Sequence, residues 1–229
     1  MQALSDRAAE MLSRGRTIAQ PKQADEIVQL LNRHGYPYNE SFIRYQQRFG
    51  GIKYRPRGLY HGMEHQGVDL VAFEYDPRNG YVMEAEEIEG RWYYTCADYS
   101  YSHLFYAIVM DSEGRIYVRP YDRDDRPILV AQSIETFVER DAVQDDFYLR
   151  RENWLAARFH ADRLEIWKND SRLGLQLIAE ASDSCTTWWR GLDGHVFVEC
   201  HALERLGFFN QVYAASTKVL KQLQLPAGG

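Results

Sequence analysis

Apolar positions recur at three- and four-residue intervals through the first fifty residues and then give way to short runs, which predicts helices followed by a series of strands. A first amphipathic helix is expected from Asp6 to Arg14, ended by Gly15. A second is expected from Gln23 to His34, carrying Ile27, Val28, Leu30 and Leu31 and ended by Gly35. In S-F-I-R-Y-Q-Q-R-F-G-G-I, Ser41 to Ile52, the side chains of Phe42, Tyr45 and Phe49 fall on one helical face, and Asn39 is placed to accept the first orphan backbone N–H groups. Gly50 and Gly51 then form a structural turn. Glycine enters the left-handed conformation without a Cβ penalty, so the pair lets the chain reverse and feed Ile52 into the next element.

Strands are expected over Val68–Tyr75, Tyr81–Met83, Trp92–Cys96, Leu104–Met110 and Arg115–Arg119, the last two joined by the tight turn Ser112-Glu113-Gly114. Helices gathered at the ends of a strand series, instead of alternating with strands, place the chain in the α+β class with a mainly antiparallel sheet flanked by helices. No glycine-rich phosphate loop follows a strand and no G-x-S-x-G elbow occurs, so no cofactor is expected.

Four segments occur in a telling order. They are the R-F-G-G-I turn, a strand ending in a D-P turn (Tyr75, Asp76, Pro77), the hairpin I-V-M-D-S-E-G-R-I-Y-V (Ile108 to Val118) and the serine-capped helix A-Q-S-I-E-T-F-V (Ala131 to Val138). Together they resemble the SUKH superfamily, the fold shared by a yeast cell-wall regulator and many bacterial immunity proteins. The resemblance covers about residues 20 to 144 and implies a SUKH-like domain over residues 1–144. The hairpin departs from the family's usual D-x-x-G strand spacing, and some 85 residues follow the last family helix.

From Val143 the chain changes character. A helix is expected through Trp154, then a strand at Leu164–Trp167, a ribbon of Thr186–Trp189 and His195–Val198 across the turn Gly191-Leu192-Asp193-Gly194, and a last helix near Val212–Leu223. No Pro/Gly/Ser-rich linker precedes this part, so residues 145–229 are read as a C-terminal α/β extension packed on the core. Trp154, Trp167, Trp188 and Trp189 lie in it; buried aromatics are the plain reading, and an exposed Trp188 or Trp189 would mark an interface anchor.

Composition is that of an ordinary globular chain, with 45% hydrophobic and 26% charged residues. The longest apolar run, Leu104 to Met110, is far below the ~20 residues that cross a bilayer, and the N-terminus shows no secretory pattern, so a cytoplasmic location is expected. Cys96, Cys185 and Cys200 are too few and too scattered for a disulfide framework. Cys185, His195, Cys200 and His201 lack metal-ligand spacing, and Cys200 and His201 would point to opposite faces of a strand. His61-Gly62-Met63-Glu64-His65 matches the letters of an inverted zinc-protease motif, but Gly58, Gly62 and Gly67 argue for a loop where that chemistry needs a helix. No metal is expected.

Charge is unevenly distributed. Residues 1–57 hold ten Lys/Arg against five Asp/Glu, whereas residues 61–100 hold two against nine. The densest acidic stretch, Glu84, Glu86, Glu87 and Glu89, precedes Trp92, Tyr93, Tyr94, Asp98, Tyr99 and Tyr101. Acids interleaved with aromatics suit a basic protein partner and disfavour nucleic acid. The SUKH resemblance implies a bacterial immunity protein that binds a cognate toxin domain and inhibits it sterically, without catalysis. Glu84, Glu86, Glu87, Glu89, Asp98, Tyr99 and Tyr101 are then the expected toxin-binding residues. A regulatory or scaffolding module is the alternative. An enzyme built on the Glu84–Glu89 carboxylates comes third, since nothing in the sequence brings two of them to working distance.

Overall fold

The computed structural model describes residues 3–54, 68–72, 84–99, 106–120, 126–150, 155–201 and 210–223. Among the described residues lie six α-helices and two antiparallel sheets, of eight and five strands, which makes the chain α+β. By its contacts it divides into two units, residues 8–134 and residues 1–7 with 135–229. No described helix is long and apolar enough to cross a membrane.

Helix α1 (Asp6–Ser13) contains the division at residue 8, and the first unit continues with β1 (Arg16–Thr17), α2 (Ala24–Arg33) and α3 (Glu40–Arg48). Ile27, Leu30 and Leu31 bury the apolar stripe of α2, and the Gln23 N–H donates to Glu26 Oε2 at 2.8 Å to close its first turn. In α3, Asn39 Oδ1 accepts the Phe42 N–H at 3.0 Å, the cap expected from the sequence. The turn after α3 needs glycine twice. Gly51 has φ +83°, and a Cβ on it would lie 2.5 Å from the Ala19 carbonyl oxygen; a Cβ on Gly50 would lie 2.5 Å from Gln46 Oε1.

The eight-stranded sheet comprises β1, β2 (Ile52–Tyr54), β3 (Val68–Leu70), β4 (Ala85–Ile88), β5 (Arg91–Tyr99), β6 (Tyr106–Asp111), β7 (Ile116–Pro120) and β8 (Ile128–Ala131). Its path is β1-β2-β3-β5-β6-β7-β8; β4 pairs with the first half of β5 and β3 with the second half, both opposite β6. Helix α3 is fastened to this sheet by buried polar bonds: the Tyr45 hydroxyl reaches the carbonyls of Val71, at 3.2 Å, and Cys96, and Gln46 Nε2 donates to the Val71 carbonyl at 2.8 Å. Phe42 stacks on Tyr94 with ring centres 5.1 Å apart. Phe42, Phe49, Ile108 and Ile116 are buried in this unit; Phe137, which the sequence would place in the same core, is buried in the second unit, and the Tyr106 side chain lies outside the described set. Expected strand residues 73–75 and 81–83, together with Leu104, His61 and His65, lie outside the described residues.

The second unit contains α4 (Ile134–Arg150), β9 (Leu155–Arg158), α5 (Asp162–Asn169), β10 (Gln176–Leu177), β11 (Thr186–Gly191), β12 (Val196–His201), β13 (Gln211–Ala214) and α6 (Thr217–Gln222). The sheet order is β10-β11-β12-β13-β9. One face packs Phe197, Tyr213 and Trp188 with Val143 of α4; the other packs Val196, Val198, Val212 and Ala214 with Leu164 and Trp167 of α5 and Leu220 of α6. Helices therefore cover both faces. The division of the chain falls at the start of α4, ten residues before the 144/145 boundary expected from the sequence.

Two expected elements differ. Leu164–Trp167 is helical, because Leu164 and Trp167 are buried while Glu165 and Ile166 are exposed, a three-residue period that strand alternation does not produce. Residues 212–214 belong to strand β13, with Val212 and Ala214 on one face and Tyr213 on the other; α6 starts only after Ser216, whose hydroxyl accepts the Val219 N–H at 3.3 Å.

Candidate functional site

The acidic stretch folds as β4 and the turn into β5. Pairing sets Ala85 opposite Tyr94, Glu86 opposite Tyr93, Glu87 opposite Trp92 and Ile88 opposite Arg91. Alternation therefore splits the glutamates between the two faces of the sheet. Glu86 shares a face with Tyr93, is half-buried and pairs with Arg119. Glu87 is exposed on the opposite face, beside Trp92. Glu84 is exposed, and its carbonyl accepts the Thr95 N–H at 3.0 Å. Glu89 stands at the hairpin tip in the left-handed region, φ 53°, followed by Gly90 at φ 77°. Its exposed carboxylate lies 2.7 Å from the exposed Arg126 guanidinium.

The expected acidic face is thus narrower than the sequence suggested. Asp98 and Tyr99 lie in β5, opposite Asp69 and Val68, but their side chains are outside the described set, as is the whole of Tyr101. The aromatic partners that the structure does bring to Glu87 come from the segment between α2 and α3. Trp92 and Tyr36, both half-buried, have ring centres 6.0 Å apart, and Tyr36 stacks on His34 at 5.8 Å. The segment is held against β5 by the Tyr94 hydroxyl, which donates to the Pro37 carbonyl at 3.0 Å; burial pushes the Tyr94 phenol up to about 12. Next along it, Tyr38 is 64% exposed and its hydroxyl donates to Glu40. Glu87, Trp92 and Tyr36 form an acidic and aromatic surface on one unit, and exposed Tyr38 follows two residues along the same segment.

On the opposite face of the same sheet, Tyr93, Val109 and Tyr117 form a buried cluster. Tyr117 joins it to the β6–β7 hairpin through Asp111. The Asp111 carboxylate is fully buried; its Oδ1 accepts the Glu113 and Arg115 N–H groups at 2.9 and 3.0 Å, and its Oδ2 accepts Arg115 Nε and the Tyr117 hydroxyl at 2.8 and 3.0 Å. Burial and the nearby Asp111 carboxylate push Tyr117 up to about 12. These bonds set the turn and carry no open coordination position or reactive geometry, so the D-S-E-G-R segment is a structural lock.

In the second unit, Trp188 is fully buried and stacks on Tyr213 at 6.0 Å, which excludes it as an exposed anchor. Trp189 is half-buried; the Lys168 ammonium sits 5.2 Å from its ring centre and its Nε1 donates to Thr187 Oγ1 at 3.2 Å. A polar cluster occurs there that the sequence reading did not assemble. Thr186 and His201 are direct cross-strand partners, and Thr186 Oγ1 lies 3.1 Å from His201 Nδ1. His201 Nε2 lies 3.2 Å from Glu199 Oε1, and the Tyr213 hydroxyl donates to Glu199 Oε2 at 3.1 Å. Thr186, Glu199 and Tyr213 are buried and His201 nearly so. The signal lay in the expected Thr186–Val198 ribbon: a turn over residues 191–194 brings position 186 near 201, and alternation sets Glu199 and His201 on one face.

Cys200, on the other face of β12, packs with the apolar cluster around Val198, so it does not join His201. Among the described residues no group of three or more His, Cys, Asp or Glu is arranged to hold a metal ion. Set against known proteins, the chain matches no family model, no curated protein and no solved structure.

Proposed function

We propose that the protein is an immunity protein of the SUKH type, which binds a cognate toxin domain in the bacterial cytoplasm and blocks it stoichiometrically. The observation that carries the reading is the pairing of Glu87 with Trp92 on a sheet face where Tyr36 packs on the tryptophan ring, with exposed Tyr38 two residues further on. Carboxylates steer a basic partner into contact, and partly exposed aromatics supply the area that holds it. Element order supports the family assignment: helix α3 with its glycine turn, antiparallel strands with the β6–β7 hairpin, and a serine-preceded helix follow one another in the order of the segments that carry the resemblance. A toxin acting on nucleic acid needs a basic cleft, and an acidic aromatic face fills such a cleft without any catalytic residue.

The test is co-expression with the toxin domain that this reading expects to be encoded beside the gene. The wild-type chain restores growth and forms a one-to-one complex, whereas the variant Glu87→Lys associates more slowly and loses the protection. Restored growth with undiminished association by Glu87→Lys removes this face from the reading. Absence of any complex removes the immunity function and leaves a regulatory docking module, the reading that the eukaryotic relatives of the fold suggest.

A further inference from the structure

We propose that Thr186 is a nucleophile, activated by His201, that accepts an acyl group from activated acyl donors such as thioesters or aryl esters. The argument is geometric and independent of the toxin-binding face. Glu199 uses one oxygen for the Tyr213 hydroxyl and the other for His201 Nε2. An imidazole that donates its Nε2–H to that carboxylate presents the Nδ1 lone pair to the Thr186 hydroxyl at 3.1 Å, which is the arrangement of a general base on an alcohol. The backbone holds the ring in place: the His201 N–H donates to Asn210 Oδ1 at 2.8 Å, and residues 186 and 201 are fixed opposite each other by the β11–β12 ladder. Nucleophile, base and the carboxylate that orients the base are thus in line on two adjacent strands.

The step balances as an acyl transfer. Thr186 Oγ1 bonds to the carbonyl carbon while its proton passes to His201 Nδ1; the tetrahedral intermediate expels the thiolate or aryloxide, and the imidazolium returns the proton to the leaving group or to solvent. The neighbouring amides limit how far this goes. The Cys185 and Thr186 N–H groups both donate to Asp183 Oδ1, at 2.7 and 3.2 Å, and Arg140 pairs with the same carboxylate, so these donors are committed and do not serve a developing oxyanion. Loss of one such donor typically costs 10²–10³ in rate, so the reaction is slow and stops at the acylated chain without turning over.

The experiment incubates the full chain with p-nitrophenyl acetate, follows p-nitrophenolate release, and maps the acetyl group by peptide mass spectrometry. Acetylation is expected on Thr186, retained in Thr186→Ser and absent in Thr186→Val. In His201→Ala the rate falls and added imidazole restores it. Glu199 acts as a positioning residue, so Glu199→Gln lowers the rate and displaces its pH profile. Label confined to lysines or to Cys185, or equal label on the Thr186→Val chain, overturns the proposal and leaves the cluster as a cross-strand structural ladder. Mapping on the wild-type chain decides the matter even if a variant fails to fold.

Discussion

The Tyr117 hydroxyl donates to Asp111 Oδ2 at 3.0 Å inside a sheet where that carboxylate is fully buried. Arg115 and two backbone N–H groups complete the set around Asp111. Removing the carboxylate leaves a phenol, a guanidinium and two amides without their acceptor. Asp111→Ala is therefore expected to lose about 3 kcal/mol of stability in urea unfolding, whereas Tyr117→Phe, which removes a single donor, loses about 1 kcal/mol.

The hairpin tip sets stability against binding. Glu89 occupies a left-handed position that asparagine tolerates better, and its ion pair with Arg126 joins two exposed groups. Glu89→Asn is expected to raise stability by up to about 1 kcal/mol in chemical unfolding while slowing association with the proposed toxin partner. A loss of stability would show that the tip is held by its charge and not strained by its backbone.

Tyr38, 64% exposed, offers the cleanest aromatic truncation. Tyr38→Ala should leave the thermal midpoint unchanged and accelerate dissociation of the proposed toxin complex, with little effect on association, in surface-binding kinetics. Slowed association with unchanged dissociation would remove Tyr38 as an anchor.

Alkaline pH should destabilise the first unit in a defined window. Tyr94 and Tyr117 ionise near 10 in the unfolded chain and are pushed up to about 12 when folded, because burial disfavours the phenolate. Their contribution is intact below pH 10 and is lost as pH rises toward 12. Unfolding followed together with tyrosinate absorbance should show the midpoint falling across that window, and Tyr94→Phe should flatten the fall.

The helices were legible because their caps and periods are local: Asn39, Gly35 and the Phe42–Tyr45–Phe49 stripe carry their own geometry. Strand β4 was not, since A-E-E-I shows little apolar alternation and owes its extended form to its ladder with β5. The glutamate run was visible, yet its division between two faces became visible only with that pairing. The aromatic half of the site escaped for another reason. Tyr36 and Trp92 are 56 positions apart and meet only because Tyr94 ties the Pro37 carbonyl to the sheet. Leu164 and Trp167 show the opposite failure, where four residues fit a strand or a helix equally well until burial distinguishes the periods.

The Ser5 N–H and hydroxyl bind the Glu139 carboxylate at 2.6 and 2.7 Å, and Arg7 pairs with Glu180 at 2.9 Å, so the first residues belong to the unit built from residues 135–229. On the ribosome these residues emerge long before their partners do. The N-terminal segment therefore waits, undocked, while more than a hundred residues are made, and the second unit closes only when β13, well beyond Glu180, has left the exit tunnel to pair with β9. A fragment starting at residue 135 would contain the whole five-stranded sheet and still lack its own first piece.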